Sequence, residues 1–361
     1  MVWFLDNRYA LRTALILEDG SNITYKQLMC RIDKFAKQLQ GNTVAVLMSQ
    51  NTVDFIVAYL ACLKKEVIPL LISEKASKEY VNMIAEQYDA GYILLGKKNV
   101  LTRRKRKTSI KIHSDLALLL ATSGSMGNIK YVKLSKKNLI SNIKSVCDVL
   151  NISETDRAIT SLPLNYTYGL SVLNTHLYKG ASIVVTGRSV VSTDFWNLVK
   201  KENVTTFSGV PFIYESIYKL NIFNYEFPSL KVLTQAGGKL SEKLQVYFGD
   251  IAKRKGLDFY IMYGQTEATA RMTVLSADLI LNKLGSVGTA IPGGKIDIID
   301  GEVIYYGENV CMGYAQKIED LSKGDENRGI LHTKDAGYMK NGYLYLEGRL
   351  DRVIKINGIR I

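Results

Sequence analysis

The stretch Leu116-Ala117-Leu118-Leu119-Leu120-Ala121-Thr122-Ser123-Gly124-Ser125-Met126-Gly127-Asn128-Ile129-Lys130 decides the fold class. Its first six residues are an apolar run of strand length with turn residues behind it, which reads as a buried strand. From Ser135 to Leu150 the period changes: Leu139, Ile143, Val146 and Leu150 recur on one face of a helix that Ser135 can cap. The polar, glycine-bearing segment from Thr122 to Lys130 is thus mounted between a strand end and a helix start. Glycines let backbone N–H groups approach a phosphate closely, hydroxyls add donors, and Lys130 adds a mobile positive charge. The spacing GxxGxxK followed by Tyr131 departs from the GxxxxGK and Ser/Thr of a Walker loop. Taken alone, such a segment is equally a plain turn.

The same alternation of short apolar runs and helical periods extends to both sides. Strands are predicted at Thr43 to Met48, Val67 to Ile72, Tyr92 to Leu95, Ala158 to Leu162, Ser182 to Thr186, Thr205 to Ser208, Val232 to Gln235 and Phe259 to Tyr263. Helices fit Val53 to Leu63, Lys78 to Tyr88, Thr193 to Lys200 and Ser241 to Lys255. Beyond about Gly285 the texture turns to short strands punctuated by glycine, at Lys295 to Ile299, Glu302 to Tyr306 and Tyr343 to Leu346. The expected architecture is α/β, with two sheet-and-helix subdomains and a small β-rich subdomain at about 285–347.

Composition bounds the rest. With 361 residues, 47% hydrophobic and 22% charged, the chain can bury a large core, which excludes a disordered or fibrous protein. A formal net charge of +13 suits an anionic partner without choosing one. The run Arg103-Arg104-Lys105-Arg106-Lys107 is expected to be a solvated loop, and no specific nucleic-acid partner is expected. Cys30, Cys62, Cys147 and Cys311 stand far apart, giving no zinc or disulfide spacing, and His113, His176 and His332 share no metal-binding spacing. No apolar run reaches the ~20 residues of a membrane span, and the start shows no secretory signal, so a cytoplasmic protein is expected.

Two further clusters carry chemistry. Tyr263-Gly264-Gln265-Thr266-Glu267 leaves a strand with an aromatic face, a flexible glycine, a hydroxyl and a carboxylate able to hold a hard cation. Near the end, Thr333-Lys334-Asp335 and Gly348-Arg349-Leu350-Asp351 offer a carboxylate for ribose hydroxyls and a guanidinium fork for sugar or phosphate oxygens. Singly these read as a turn and a surface ion pair.

Together and in this order, the clusters resemble the adenylate-forming superfamily: acyl- and aryl-CoA synthetases, adenylation domains of nonribosomal peptide synthetases, and luciferases. Thr122 to Lys130 resembles its phosphate loop, and Pro163-Leu164-Asn165-Tyr166-Thr167-Tyr168-Gly169 its Pro-Leu-x-His-x-x-Gly segment. Gln235-Ala236-Gly237-Gly238 is similar to the strand end bordering adenine, Tyr263 to Glu267 matches Tyr-Gly-x-Thr-Glu, and Gly348 to Asp351 matches the Gly-Arg-x-Asp hinge. Among subgroups, the wording around Tyr166 and Gln235 is similar to ligases found with bacterial surface-polysaccharide genes.

The resemblance implies ATP- and Mg²⁺-dependent conversion of a carboxylic acid to an acyl-adenylate, then transfer to the thiol of CoA or of a carrier-protein phosphopantetheine. It assigns Lys130, Thr266 and Glu267 to catalysis, with Glu267 on the metal. Thr122, Ser123, Gly124, Ser125, Gly127, Gly237, Gly238, Tyr263, Asp335 and Arg349 hold the nucleotide. Tyr166, Tyr168, Ser208, Gly209 and Gln235 line the acid pocket, core packing being the alternative for the two tyrosines. The adenylation core is expected at 1–351 and the hinge at 352–361, with the family's C-terminal domain, and the lysine it brings, missing; the chain alone is expected to adenylate slowly. Met126, Ile129 and Tyr131 replace the family's threonine, proline and glycine, and Lys334 a glycine whose replacement is expected in solvent. No acidic residue stands between Pro163 and Leu173 to pair an ammonium, which favours an acyl, hydroxyacyl or aryl acid. An amino-acid:carrier-protein ligase and a non-catalytic nucleotide-binding remnant are the alternatives.

Overall fold

Alternate residues of the strand Val44–Ser49 face different layers of the molecule, as the two-residue period of a strand requires. Ala45 and Leu47 enter the core shared by both sheets, whereas Val44 and Val46 enter a second core on the outer face. The computed structural model describes residues 2–95, 100–122, 130–350, 355–356 and 359–360. Within them, seven strands form one sheet in the order Tyr314–Ala315, Tyr131–Ser135, Leu116–Ala121, Ile68–Ser73, Val44–Ser49, Tyr92–Leu95, Val100–Arg103. Its four central pairing strands are parallel and its edges antiparallel.

A larger sheet has thirteen strands among the described residues. Its parallel part runs Asp258–Tyr263, Val232–Gln235, Thr206–Gly209, Arg157–Ile159, Ser182–Val185, Thr13–Leu17. From Asp258–Tyr263 it continues antiparallel through Thr273–Leu275, Ser286–Ala290, Tyr343–Arg349, Ile330–Lys340 and Glu302–Gly307 to Gly294–Ile299. The glycine-punctuated strands of the C-terminal third therefore extend the large sheet by hydrogen bonding.

Between the sheets lie the helices Tyr25–Ala36, Val53–Lys65, Lys136–Val149 and Thr167–Tyr178, whose buried residues join strands of both sheets in one core. The outer face of the large sheet is covered by Thr193–Lys201, Pro211–Lys219 and Glu242–Lys255, and that of the smaller sheet by Lys78–Gln87. Ser135 caps its helix as expected, its hydroxyl accepting from the Asn138 N–H at 3.0 Å while the Asn138 side chain returns the bond at 2.8 Å.

Three helices escape the sequence reading. In Thr167–Tyr178 every residue from Thr167 to Leu177 is buried, so no apolar stripe marks a period of 3.6. Tyr25–Ala36 is amphipathic but short of apolar residues, and Pro211–Lys219 follows an X-Pro step that reads as a break. The basic run is a surface loop from Arg104 to Lys107, with Lys105 and Lys107 exposed as expected, but two of its arginines are anchored. Arg103 ends an edge strand and donates to the Gln38 carbonyl at 3.1 Å. Arg106 faces the Asp89 carboxylate at 3.4 Å, and that carboxylate also accepts from the N–H groups of Lys107 and Thr108 at 2.8 and 2.9 Å. Burial raises the Asp89 pKa, yet these bonds and the Arg106 charge hold it below its ordinary value. Part of the positive charge thus serves as an internal clamp.

His176, on the helix between the sheets, is 1% exposed, and its Nδ1 lies 2.9 Å from the Val172 carbonyl. Burial is the largest influence and pushes its pKa down from 6.5 to about 4. The unfolded chain therefore binds the extra proton first. Stability attached to this residue is present above pH ~6.5 and is lost as pH falls through ~4, by up to about 3 kcal/mol. Urea titrations at intervals from pH 7 to pH 4 should show this acid-side slope in the parent and its loss in His176→Gln. Parallel slopes would mean that the fold accepts the proton.

Candidate active site

Three consecutive parallel strands end side by side, with Gly209 in register with Gln235 and Gln235 with Ile261, so the candidate pocket residues sit at the carboxyl edge where α/β sheets bind ligands. The Tyr168 hydroxyl donates to the Thr234 carbonyl at 2.9 Å and lies 2.7 Å from Thr234 Oγ1, which is 2.8 Å from Ser208 Oγ. Gln235 donates through Nε2 to the Gly238 carbonyl at 2.9 Å, holding the turn after the strand. Gly237 has φ +82°, and a Cβ there would lie 2.3 Å from the Tyr166 hydroxyl, so both conformation and space demand glycine. Tyr166, Tyr168, Ser208, Gly209, Gln235, Gly237 and Gly238 are thereby brought together. Tyr168, Ser208 and Gln235 are buried, Tyr166 is half-buried, and Gly237 and Gly238 are open to solvent.

Past Tyr263 the chain makes a close approach to itself. A Cβ on Gly264 would fall 1.6 Å from the Ala270 carbonyl oxygen, so a side chain there would force the turn open. The turn delivers Gln265 to Asp335. Tyr263 Oη donates to Asp335 Oδ2 at 2.5 Å and Gln265 Nε2 to the same oxygen at 2.6 Å; Arg349 Nη1 reaches Oδ1 at 3.2 Å. Asp335 and Arg349 are cross-strand partners, which sets this geometry by register alone. Gln265 and Arg349 also both donate to the Thr333 carbonyl, at 2.9 and 3.2 Å. Burial and the Asp335 charge push the Tyr263 hydroxyl well above its ordinary pKa, so it remains a donor. The Tyr263 ring packs with Ala268, Met272 and Tyr305 in a core of its own. Lys334 is exposed, as expected, and its φ of +58° is the left-handed geometry that suits a glycine.

Glu267 stands at the side of this cluster. Its Oε1 accepts from the Tyr314 hydroxyl at 2.9 Å, and its backbone carbonyl accepts from the Cys311 N–H at 2.8 Å. Lys130 Nζ lies 5.8 Å from the centroid of the same Tyr314 ring. Tyr314 pairs with Val132, and Tyr131 with Ala121, so two adjacent ladders bring Tyr314 beside Thr122 and Lys130, the described ends of the segment expected to be the phosphate loop. Ser123, Gly124, Ser125 and Gly127 lie outside the described residues. Burial, and then the neighbouring Glu267 charge, raise the Tyr314 pKa and keep its proton on the bond to Glu267.

Among the described residues no group of three or more His, Cys, Asp or Glu could hold a metal by itself. Glu267 keeps a second carboxylate oxygen outside the Tyr314 bond, and one carboxylate together with substrate phosphates is the coordination Mg²⁺ usually takes. The donor set fits magnesium brought in with a nucleotide. Three residues of the cluster were not singled out from sequence. Gln265 is the variable position of Tyr-Gly-x-Thr-Glu and Thr333 contributes mainly its backbone, while Tyr314 has no local pattern to mark it. Arg271 also escapes, as a lone basic residue in Ala268-Thr269-Ala270-Arg271-Met272.

The chain matches the AMP-binding enzyme family over residues 6–114 and 103–315. It is 26% identical to an oxalate–CoA ligase of Arabidopsis thaliana, covering 97% of this chain and 78% of that protein. It is 27% identical to a 2-succinylbenzoate–CoA ligase of Bacillus subtilis, covering 95% and 76%. The structure of O-succinylbenzoate coenzyme A synthetase from Bacillus subtilis in complex with ATP and magnesium ion superposes with a TM-score of 0.81 at 26% identity, covering 97% of this chain and 79% of that one. The N-terminal domain of FACL13 from Mycobacterium tuberculosis shares the fold at a TM-score of 0.81 and 19% identity, covering 96% and 99%. Among the described residues no helix is long and apolar enough to cross a membrane. With a family match spanning both sheets, the chain belongs to the AMP-binding enzymes.

Proposed function

We propose that this chain carries out the adenylating chemistry of an AMP-forming acid–CoA ligase. A substrate carboxylate attacks the α-phosphorus of ATP, giving an acyl-adenylate and pyrophosphate, and the thiol of CoA then displaces AMP. The observation that carries this reading is the single hydrogen-bonded cluster of Tyr263, Gln265, Asp335 and Arg349 standing beside Glu267 and Lys130. A carboxylate accepts about four hydrogen bonds. Tyr263, Gln265 and Arg349 use three positions on Asp335, orienting it and leaving one direction for a ribose hydroxyl. Arg349, the longest of the three contacts, can turn to the sugar as well.

Adenine lies along exposed Gly237 and Gly238 and against Tyr263. Thr266 contacts the α-phosphate, and Thr122 and Lys130 flank the outer phosphates with Ser123, Gly124, Ser125 and Gly127. Glu267 would hold Mg²⁺, which supplies screening of the charge that builds on the leaving pyrophosphate. Joining two anions requires such positive charge and oriented donors, because their mutual repulsion is the main electrostatic barrier. The named relatives are CoA ligases, which supports CoA over a carrier-protein phosphopantetheine as the acceptor. CoA and ATP as co-substrates favour the cytoplasm. The acids in the relatives' names, oxalate and 2-succinylbenzoate, each carry two carboxylates.

Labelled pyrophosphate should exchange into ATP only when a carboxylic acid is supplied, and a chain that binds MgATP yet exchanges with no acid would be a remnant. In isothermal titration Asp335→Ala should weaken MgATP binding on the order of tenfold or more, since it removes a charged hydrogen-bond acceptor. Glu267→Gln should raise the Mg²⁺ concentration needed for half-maximal exchange while leaving thermal stability near that of the parent. If both variants hold MgATP as the parent does, the site has been placed wrongly.

A further inference from the structure

Arg271 is 2% exposed, and among the described residues no carboxylate lies within the 4.0 Å that would pair it. Its Cζ sits 4.5 Å from the centroid of the Tyr168 ring, and Nη1 donates to Ser171 Oγ. Nε is buried with no hydrogen-bond partner. Burial lowers its pKa from the ordinary value, but a guanidinium keeps its proton even so. A cation taken out of water without an anion is a standing cost, and packing against one ring offsets only part of it.

The local backbone is held to keep Arg271 there. Thr269 has φ +61° and Ala270 φ +138°, both strained for residues with a Cβ. Around this turn the Thr269 hydroxyl donates to the Asn309 carbonyl at 2.6 Å, and the Arg271 carbonyl accepts from Asn142 and Asn309 at 2.9 and 3.2 Å. Such strain and such clamping are a poor way to fill a core, where an apolar residue would serve. They are a reasonable way to aim a charge.

The ring that Arg271 packs on belongs to Tyr168, one of the residues expected to line the acid pocket. Tyr168 lies against Arg271 with its ring and against Thr234 with its hydroxyl. The next residue, Gln235, has a buried Oε1 with no hydrogen-bond partner. Tyr166, half-buried, meets Tyr168 edge-on at 6.3 Å and reaches toward Gly237, between the solvent-facing glycines and the guanidinium.

We propose that Arg271 is a specificity-determining residue that pairs with a second carboxylate on the acid, so that this ligase selects dicarboxylic acids. One carboxylate attacks ATP, and the other neutralises Arg271 at the far end of the pocket. The proposal rests on the acid–CoA ligase reading above. It also predicts that α-amino acids are poor substrates, since their ammonium would meet a buried positive charge.

Pyrophosphate exchange with oxalate, malonate, succinate, glutarate and phthalate, each beside its monomethyl ester, tests this. The preferred diacid should exceed its ester in kcat/KM on the order of 10²-fold in the parent, the scale of a lost buried charge pair. Arg271→Met should collapse that ratio toward unity, and Arg271→Lys should restore part of it, with MgATP affinity unchanged in both. A ratio near unity in the parent, or the parent's ratio kept in a folded Arg271→Met protein, overturns the proposal and makes Arg271 a packing cation. Should Arg271→Met fail to fold, the parent's diacid-to-ester ratio decides by itself. Exchange supported by monocarboxylic acids but by no diacid overturns this inference and leaves the ligase reading standing. No exchange with any acid overturns both.

Discussion

Two mixed sheets share a single layer of helices, and the meeting of candidate site residues from both sheets depends on that sharing. Val53–Lys65 buries every residue from Phe55 to Leu63, and Thr167–Tyr178 every residue from Thr167 to Leu177, because each helix has a sheet on both sides. Such helices cannot rotate or slide without exposing apolar surface at roughly 25 cal/mol per Å². Strands on either side are thereby fixed relative to one another. The strand end at Gln235 and the loop ends at Thr122 and Lys130, which belong to different sheets, can then serve one substrate.

On this frame the polar groups are placed by ladder register more than by side-chain choice. Asp335 faces Arg349 because their strands pair at those residues, and Ala121 faces Tyr131 for the same reason. A slip of one residue in either ladder would turn the functional side chain to the opposite face. The anchoring of Tyr314–Ala315 onto Tyr131–Ser135 matters in the same way, since it presents the Tyr314 hydroxyl to Glu267. Bonds from Tyr263 and Gln265 to one oxygen of Asp335 fix the direction in which the carboxylate points.

Strands and amphipathic helices were legible because burial on one face leaves a period in the sequence. The helix at Thr167–Tyr178 was not, because burial on all faces erases the period. The residues proposed to hold the nucleotide stand in recognisable motifs, Tyr263, Gly264 and Glu267 in one turn and Asp335 in another, so a local reading of the sequence picks them out. Gly264 shows the point: the nearness of the Ala270 carbonyl leaves room for nothing larger than hydrogen. Tyr314 and Arg271 act only through contacts with residues distant in sequence, and no local pattern could have marked them.

Tyr131 illustrates how a departure from the family pattern is absorbed. It stands where resembling sequences have glycine, next to the phosphate-loop lysine, and a weakened phosphate grip would be the simple inference. In the fold its side chain turns inward and is fully buried. Its hydroxyl lies 3.2 Å from that of Tyr80, and its ring meets Tyr88 edge-on at 5.5 Å. Burial and the Tyr80 bond push its pKa upward, so the hydroxyl stays neutral. The large side chain thus joins the outer core of the smaller sheet. Lys130, just ahead of the strand, is exposed and lies over the ring of Tyr314, whose hydroxyl bonds Glu267. The substitution that looks like a loss at the loop is a packing change one residue away from it.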